Sequence, residues 1–236
     1  PGGEPDGHPA ASALNAMLTE CPASLERRVL PYTLPDAPLL EDRGSGYRSL
    51  AWVPAEPAVV LGCSSQAERA VEEARVLLAG IPVYRRPSGG ESMFLSPRMA
   101  AVSLALDAGS HMPPRAFFNA TGAAILRALE SLGVTGLSLG GTSDLASGGR
   151  KLLGSAIYQR GTRLFYHAVL NVAEDPATIQ RYLRHPVREP DYRQGRSHDD
   201  FVTSLVRAGF QVSPEDCREA LAAAFRVSPL VGSALG

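Results

Sequence analysis

Residues 148–172 read GGRKLLGSAIYQRGTRLFYHAVLNV, and this stretch decides the fold. Two β-runs, 151–158 and 164–172, are joined by a short segment with an Arg-Gly turn, which predicts an antiparallel hairpin. Three small residues leave one face of the first run uncrowded: Gly154, Ser155 and Ala156. A ligand lying against the sheet would need such a face, but a bulge or tight packing would explain the same residues.

The first β-run also begins with an unusual residue for this chain, Lys151. Of 23 basic residues, 22 are Arg and one is Lys. In a chain so biased towards Arg, a retained lysine indicates a position where a guanidinium cannot replace a compact ammonium group. The alternative is a chance survivor on a solvated surface. Because Lys151 borders the uncrowded sheet face, we favour a functional lysine.

The hairpin is flanked by further periodic segments on both sides. Apolar runs predict strands at 49–53, 58–62, 81–85 and 99–106. Helical spacing predicts helices at 66–78, 113–132, 175–183 and 214–225. Ser213 is a suitable cap for the last helix, with Pro214 in its first turn. Strand pairs mixed with separate helices favour an α+β fold with a mixed, largely antiparallel sheet flanked by helices.

The N-terminal residues differ in composition from the rest of the chain. Residues 1–30 are rich in Pro, Gly and Ala, which predicts a loosely ordered arm with a short helical stretch near 12–20. We see no strong linker after residue 30 and expect a single domain over 31–236, with no C-terminal accessory domain.

The composition is that of a globular protein and excludes several classes of partner. Apolar residues make up 44% and charged residues 20% of the chain, and the net charge is -1. This balance predicts no generalised attraction to nucleic acid or to a membrane surface. No apolar run approaches the ~18 residues of a membrane span. Three unpaired cysteines, Cys21, Cys63 and Cys217, are typical of reduced thiols in a cytoplasmic protein.

A second candidate site follows the predicted strand 81–85. Residues 85–92 read Arg-Arg-Pro-Ser-Gly-Gly-Glu-Ser, and we call them the glycine turn. Glycines let backbone N–H groups approach an anion, and an arginine adds a bidentate phosphate contact. The alternative is a surface turn with two solvated arginines. The turn lacks the Gly-Lys-Ser/Thr ending of a P-loop and the dinucleotide-binding glycine pattern.

These motifs occur together in an order that resembles the lipoate–protein ligase family. The glycine turn is followed by Ser-Asp-Leu at 143–145, by the lysine motif at 150–156, and by Tyr166 and His167 in the next strand. The likeness extends over about 50–183, and the tail YRQGRSHDDFVTSL at 192–205 is also similar to relatives. The biotin ligase branch is less similar, because its Gly-Arg-Gly-Arg signature is missing.

The resemblance implies a fold, a reaction and partners. The family's fold is a mixed-sheet α+β domain shared with biotin ligases and related to class II synthetase cores. Its ligases use ATP and Mg²⁺ to convert lipoate or octanoate into acyl-AMP, and then acylate a lysine of a lipoyl carrier domain. The expected carriers resemble a 2-oxoacid dehydrogenase E2 or a glycine cleavage H protein. A separate accessory-domain protein is a further expected partner.

The same resemblance assigns roles to individual residues. Lys151 would be catalytic, holding the acyl carboxylate and the α-phosphate while charge develops. Asp144 would lie beside this lysine or bind Mg²⁺, and His167 would line the pocket. The residues expected to bind ATP or acyl-AMP are Arg86, Ser88, Gly89, Gly90, Glu91, Ser92, Met93, Phe94, Asp144, Gly154, Ser155, Ala156 and His167.

This chain departs from the family pattern at the end of the glycine turn. Relatives have a third glycine, then Ala and an aromatic residue followed by His-Asp, whereas residues 91–96 read Glu-Ser-Met-Phe-Leu-Ser. Glu91 would weaken phosphate binding unless its side chain points away. Two alternatives to a ligase therefore stay open. One is an octanoyl- or lipoyl-transferase that uses a cysteine thioester, with Cys63 as the candidate. The other is a non-catalytic relative that binds an acyl chain or a lipoyl domain.

Overall fold

The computed structural model of the chain describes residues 24–42, 44, 46–107 and 113–230. Within these ranges, the strands form one sheet of four and one of six. The strands are β1 Leu30–Pro31, β2 Arg48–Trp52, β3 Ala58–Leu61, β4 Val83–Arg85, β5 Met93–Leu95, β6 Met99–Asp107, β7 Leu137–Gly140, β8 Asp144–Ser147, β9 Arg150–Arg160 and β10 Arg163–Asn171.

Helices separate these strands along the chain. The α-helices are α1 Ala37–Glu41, α2 Ala67–Ala70, α3 Glu73–Leu78, α4 Pro114–Glu130, α5 Pro176–Tyr182, α6 His198–Phe201 and α7 Pro214–Ala224. Two short 3₁₀ helices, η1 Leu25–Arg28 and η2 Asp191–Arg193, complete the described elements. None of the helices in the described ranges has the length and apolar content needed to cross a bilayer.

The larger sheet is antiparallel, with the order β2-β6-β10-β9-β8-β7. Its two faces differ because strand side chains alternate. On β10, residues such as Tyr166 and Leu170 enter the main core beneath α4 and α7. The intervening residues His167, Val169 and Asn171 face the other way and line a cavity. One face of this sheet therefore builds the core, and the other builds a site.

The smaller sheet packs on part of that second face. Its order is β1-β4-β3-β5, with β1, β4 and β3 parallel and β5 antiparallel to β3. Val60 and Leu95 meet Trp52 and Ala101 of the larger sheet in a small apolar cluster. Residues of the opposite side, including Val59, pack with α2, α3 and α5. The fold therefore has four layers: helices α4 and α7, the larger sheet, the smaller sheet, and helices α2, α3 and α5.

The α+β fold with helices flanking largely antiparallel strands is confirmed, and so is the hairpin that dominates it. β9 and β10 pair in register from Arg160↔Arg163 to Leu153↔Leu170. Gly161, in the turn, has φ +60°, a conformation that favours glycine. The helix predicted at 214–225 begins with the expected cap, since the Ser213 hydroxyl accepts the Asp216 N–H in a capping box.

The single helix predicted at 66–78 was wrong, because α2 and α3 are separated at Val71 and Glu72. Val71 forms a β-bridge with Leu183, and Glu72 donates its N–H to the Tyr182 carbonyl. The Val71 N–H still binds the Ala67 carbonyl, but the Glu72 N–H and the Ala70 carbonyl bind the 182–184 backbone instead of helical partners. Helical periodicity continued across the break because Val71 and Val76 both face the same apolar cluster.

The glycine-rich stretch 136–149 contains two strands, β7 and β8, for which no strand was predicted. Its positive-φ glycines lie at the strand ends: Gly136, Gly141, Gly148 and Gly149. The glycines therefore delimit two four-residue strands, too short to give a clear alternation. The short strand β5, which follows the glycine turn, was missed for the same reason.

Part of the predicted N-terminal arm is ordered against the smaller sheet. Residues 1–23, including the predicted helical stretch near 12–20, lie outside the described residues. From residue 24 onward the chain is packed rather than loose: Leu25 is 2% exposed and β1 pairs with β4. Glu26 forms an ion pair with Arg85 of the glycine turn and accepts the Ala67 N–H.

Candidate active site

A cavity of about 420 Å³ lies between the larger sheet, the glycine turn and the polar segment 184–200. Its volume is within the range of small-molecule pockets, roughly 300–1,000 Å³. Strands β5, β8, β9 and β10 all contribute side chains to its wall. The two candidate sites of the sequence, around Arg86 and around Lys151, therefore belong to one pocket.

A β-bulge aims Lys151 into this cavity. Ala146 of β8 pairs with Lys151, whereas the preceding Leu145 pairs with Leu153, so Leu152 is an extra residue on β9. The bulge places Lys151 on the same face as Gly154 and lets both leucines enter the core. A Cβ atom on Gly154 would lie 2.9 Å from the Lys151 Cε and 3.0 Å from its Nζ. Glycine at 154 thus leaves the space that the lysine side chain occupies.

Asp144 holds the ammonium group of Lys151. The Lys151 Nζ lies 2.8 Å from Asp144 Oδ1, and the Asp144 side chain is only 8% exposed. The other carboxylate oxygen, Oδ2, accepts a 2.8 Å hydrogen bond from the Tyr192 hydroxyl. The phenol of Tyr192 has a raised pKa because of burial and the neighbouring carboxylate, so it stays a donor. Both oxygens of Asp144 are therefore engaged, and the lysine is fixed in direction.

Arg86 shapes the glycine turn from within. It is 4% exposed, and its Nη2 donates to the carbonyl oxygens of Gly89 at 2.9 Å and Glu91 at 2.8 Å. Burial lowers the pKa of this guanidinium, and the nearby Glu91 carboxylate opposes that effect. Gly62 allows the turn to approach β3, since a Cβ there would meet the Gly90 oxygen at 2.0 Å. Most of the N–H donors of Arg86 therefore bind backbone carbonyl oxygens of the glycine turn.

Glu91, the departure from the family's third glycine, points towards the polar segment. Its Oε1 accepts the backbone N–H of Arg188 at 3.3 Å. The carboxylate thus bridges the glycine turn and residues 184–200 while its own backbone carbonyl binds Arg86. Its negative charge remains on the cavity wall, together with the positive charges of Arg86 and Lys151.

His167 lies between the cavity and the buried side of the glycine turn. It is 7% exposed, and its Nε2 lies 2.9 Å from the Ser88 hydroxyl oxygen. The Asp36 Oδ2 atom lies 4.0 Å from the Nδ1 of this ring. Burial, with a smaller contribution from Arg86, lowers the pKa of His167 to about 3. The imidazole is therefore neutral at physiological pH.

Nearly all the residues predicted to form the site lie on the cavity wall. These are Arg86, Gly90, Glu91, Ser92, Met93, Phe94, Asp144, Lys151, Gly154, Ser155, Ala156 and His167. The two exceptions are Ser88, which is 1% exposed beneath the turn, and Gly89, whose carbonyl binds Arg86. Ser155 also donates its hydroxyl to the Ser143 carbonyl at 2.8 Å, which ties β9 to the turn before β8.

Sequence reasoning missed the contribution of the polar segment to the cavity. Tyr192 of this segment binds Asp144, and Arg193 and His198 lie on the wall itself. The Arg193 guanidinium carbon lies 5.0 Å from the ring centroid of Phe201, and the arginine Nη2 is buried without a hydrogen-bond partner. Burial, followed by Arg193, lowers the pKa of His198 to about 4. The Arg/Asp/His-rich composition of 184–200 was the available signal, but it does not reveal which side chains turn inward.

The donor set does not fit a resident magnesium ion. Within the described ranges, no group of three or more His, Cys, Asp or Glu side chains is arranged to hold a metal ion. Asp144, the predicted ligand, already binds a lysine and a tyrosine. Mg²⁺ is typically bound by one or two carboxylates together with substrate phosphates. Any ion at this site would have to arrive with the phosphates of ATP.

Cys63, the candidate nucleophile of the transferase alternative, is exposed in the turn after β3. Its backbone N–H donates to the Ser88 carbonyl at 3.1 Å, which places it behind the glycine turn. It is not among the residues of the cavity wall. In this conformation its thiol does not share a pocket with Lys151.

Comparison with known proteins agrees with this fold. A relative named "Putative lipoate-protein ligase A" from Aeropyrum pernix is 31% identical over 130 residues, which cover 53% of this chain and 47% of that protein. This chain thus matches about half the length of that relative. The bi-partite lipoate protein ligase of Thermoplasma acidophilum, from a structural study that includes its E2 lipoyl domain, matches with a TM-score of 0.68 and 19% identity, over 84% of this chain and 80% of that one.

A structure of lipoate-protein ligase A bound with ATP matches with a TM-score of 0.67 and 20% identity, over 84% of this chain and 82% of that one. The fold is therefore the α+β fold of the lipoate ligases. Residues 38–226 match the lipoyl protein ligase A/B catalytic domain, which is most of the chain. The protein belongs to this family.

Proposed function

We propose that this protein is a lipoate–protein ligase that activates lipoate or octanoate with ATP and transfers the acyl group to a lysine of a lipoyl carrier domain. The observation that carries the proposal is the position of the Lys151 ammonium, 2.8 Å from Asp144 on the wall of a cavity that the glycine turn also lines. A fixed cation in a partly enclosed site is what an acyl-phosphate bond requires as it forms.

In the first step, a carboxylate oxygen of the acid attacks the α-phosphorus of ATP, and pyrophosphate leaves. In this proposal, Lys151 neutralises the negative charge shared by the carboxylate and the α-phosphate. Asp144 and Tyr192 keep this ammonium directed into the cavity, so little reorganisation is needed during the reaction. In the second step, the amine of the carrier lysine attacks the acyl carbon, AMP leaves and the amine loses a proton.

The wall of the cavity suits both halves of an acyl adenylate. Met93, Phe94 and Val169 offer an apolar surface for an acyl chain, and the neutral imidazole of His167 adds no charge there. Arg193 offers a guanidinium with an unpartnered Nη2 for the nucleotide half. Relatives of similar fold include one bound with ATP and one studied with its E2 lipoyl domain, which supports ATP as substrate and a lipoyl domain as acceptor. The bi-partite relative also supports a separate accessory chain as a partner.

The proposal is tested by incubating the protein with ATP, Mg²⁺ and either lipoate or octanoate, and detecting acyl-AMP by mass spectrometry. Adding an apo lipoyl domain should then add one acyl group to that domain. A Cys63→Ser variant should behave like the wild type in both assays, since the thiol lies outside the cavity. The accessory requirement is tested by supplying the second chain of a bi-partite ligase in parallel reactions.

Two other outcomes would replace the proposal. Acylation from acyl-carrier protein without ATP, abolished by Cys63→Ser, would make the protein a transferase. Binding of acyl-AMP with no turnover from either donor, with and without an accessory chain, would make it a non-catalytic relative.

A further inference from the structure

A buried polar network, which was not predicted from the sequence, lies behind the cavity wall. Asp36, at the start of α1, is 1% exposed and accepts hydrogen bonds from two hydroxyls. The Tyr32 hydroxyl donates to Oδ1 at 2.8 Å, and the Ser103 hydroxyl donates to Oδ2 at 2.6 Å. Burial raises the pKa of Asp36, and the hydrogen bonds from Ser103 and Tyr32 oppose this effect and favour the carboxylate form. Among the described residues, no Lys or Arg forms an ion pair with this carboxylate. The nearest side chain that can carry a positive charge is that of His167.

The network ends on the glycine turn. His167 Nδ1 lies 4.0 Å from Asp36 Oδ2, beyond hydrogen-bond range but well within electrostatic reach. On the other side of the ring, Nε2 lies 2.9 Å from the Ser88 hydroxyl oxygen. The Ser88 carbonyl in turn accepts the Cys63 N–H, so this serine is held at both ends.

The charge of Asp36 distinguishes the two neutral forms of His167. If Nδ1 carries the proton, a positive N–H edge faces the carboxylate. If Nε2 carries it, the Nδ1 lone pair faces a negative oxygen at 4.0 Å in a buried setting, which is unfavourable. With the proton on Nδ1, Nε2 is an acceptor and the Ser88 hydroxyl must donate to it.

We propose that Asp36, held by Tyr32 and Ser103, is a positioning residue that fixes His167 in its Nδ1–H form, so that Ser88 and the glycine turn are locked against the cavity. The carboxylate acts through the histidine and touches no ligand. Its effect on acyl-substrate binding rests on the proposed ligase function, whereas the tautomer itself does not. The arrangement presents a neutral ring to the cavity while a buried charge sets its orientation.

The tautomer is measured directly by long-range ¹H–¹⁵N NMR of the histidine rings in the wild-type protein. The His167 signals are assigned by their loss in a His167→Asn variant. We expect a protonated Nδ1 and an unprotonated Nε2 at neutral pH. In Asp36→Asn, the carboxylate charge is lost, and we expect the proton to move to Nε2 in a substantial fraction of molecules. An Asp42→Asn variant is the matched control, because Asp42 ends α1 and binds Arg48 and Arg163 instead.

Kinetics supply a second readout once activity is established. Asp36→Asn should raise the KM for the acyl acid roughly 10-fold with a smaller change in kcat, whereas Asp42→Asn should change neither. A wild-type His167 with its proton on Nε2, or one that is cationic at neutral pH, would overturn the proposal without any activity assay. An unchanged tautomer in a folded Asp36→Asn protein would also overturn it. If Asp36→Asn does not fold, the His167 tautomer in the wild-type spectrum alone decides whether the proposal stands. A Ser103→Ala variant then tests whether the Ser103 hydroxyl is needed to hold the Asp36 carboxylate.

Discussion

At the scale of single residues, the site is organised by charges whose directions are fixed by neighbours. One lysine among 22 arginines was sufficient to select Lys151. The family resemblance predicted Asp144 either beside this lysine or on Mg²⁺, and the structure shows the ion pair with the lysine. The sequence did not indicate Tyr192 or Asp36. A tyrosine in a polar segment and an aspartate before a short helix look like ordinary surface residues until tertiary contacts bury them.

Two substitutions of Lys151 should show whether acyl-AMP formation depends on the charge of this side chain, on its shape, or on both. Lys151→Met removes the ammonium, and Lys151→Arg keeps a positive charge but puts a larger planar group in place of the compact ammonium beside Gly154. We expect acyl-AMP formation to fall roughly 100- to 1,000-fold in both variants, as when one preorganised contact to developing charge is lost. Single-turnover kinetics measure the effect.

The control for this lysine is Arg160→Lys, at the other end of β9. The two positions are nine steps apart along the strand, which corresponds to roughly 30 Å. This variant should retain the wild-type rate. Retained activity in Lys151→Met would remove the lysine from the mechanism, whatever the family resemblance.

The histidines with lowered pKa values should make the free energy of unfolding decrease as the pH falls. The pKa of His167 is lowered to about 3 in the folded chain from an ordinary value near 6.5. Below pH ~6.5 the unfolded chain protonates this ring while the folded chain keeps it neutral. The free energy of unfolding is therefore at its full value above pH ~6.5 and decreases as the pH falls from there towards ~3. The slope approaches about 1.4 kcal/mol per pH unit for each such histidine. Urea denaturation at a series of pH values between about 7 and 5 measures it.

The His167→Asn variant should show a shallower loss of unfolding free energy over the same pH interval. His198, with its pKa lowered to about 4, should account for part of the remaining slope. Equal slopes in the wild type and in His167→Asn would mean that the imidazole is already charged, or exposed, in the folded protein.

At the scale of elements, the decisive features are the places where a regular pattern is interrupted. The hairpin of β9 and β10 was predictable from two apolar runs and a turn. The bulge at Leu152, which turns Lys151 inward, was not, because it depends on how β8 pairs with β9. The break between α2 and α3 likewise depends on a bridge from Val71 to Leu183, which is more than a hundred residues away.

The approach of the glycine turn to β3 should depend on Gly62. A Gly62→Ala substitution places a Cβ 2.0 Å from the Gly90 carbonyl oxygen, so the turn must move. We expect a loss of about 1–3 kcal/mol in unfolding free energy, the usual cost of overpacking. Because the displaced turn lines the cavity, acyl-substrate KM should also rise. Chemical denaturation and steady-state kinetics measure the two effects.

Gly89→Ala is the matched variant within the same turn. A Cβ at Gly89 has nothing within 4 Å, so this substitution should leave the unfolding free energy nearly unchanged. Equal destabilisation by both substitutions would show that the turn is sensitive to lost glycine flexibility and not to the contact with Gly62.

At the scale of the whole molecule, the cavity joins parts of the chain that are distant in sequence. The larger sheet supplies Lys151, the loop before β5 supplies Glu91, and the segment 184–200 supplies Arg193. The fold class and the residues of the first two groups were predictable, since their motifs are local. The closure of the cavity by the third group was not, because the inward-facing residues of an irregular segment have no periodicity.

A ligand that fills this cavity should therefore stabilise all three parts together. We expect a non-hydrolysable acyl-sulfamoyl-adenosine at about 100 times its Kd to add about 2.7 kcal/mol of stability. For a domain of this size, that corresponds to a rise in Tm of roughly 5–11 °C. Hydrogen exchange should slow in β5, in β9 and in the segment 184–200 at the same ligand concentration. Lys151→Met should reduce the protection of all three together, since the ligand itself then binds more weakly. Protection confined to one sheet would mean that the analogue occupies only part of the pocket, and that the enclosed volume is not a single site.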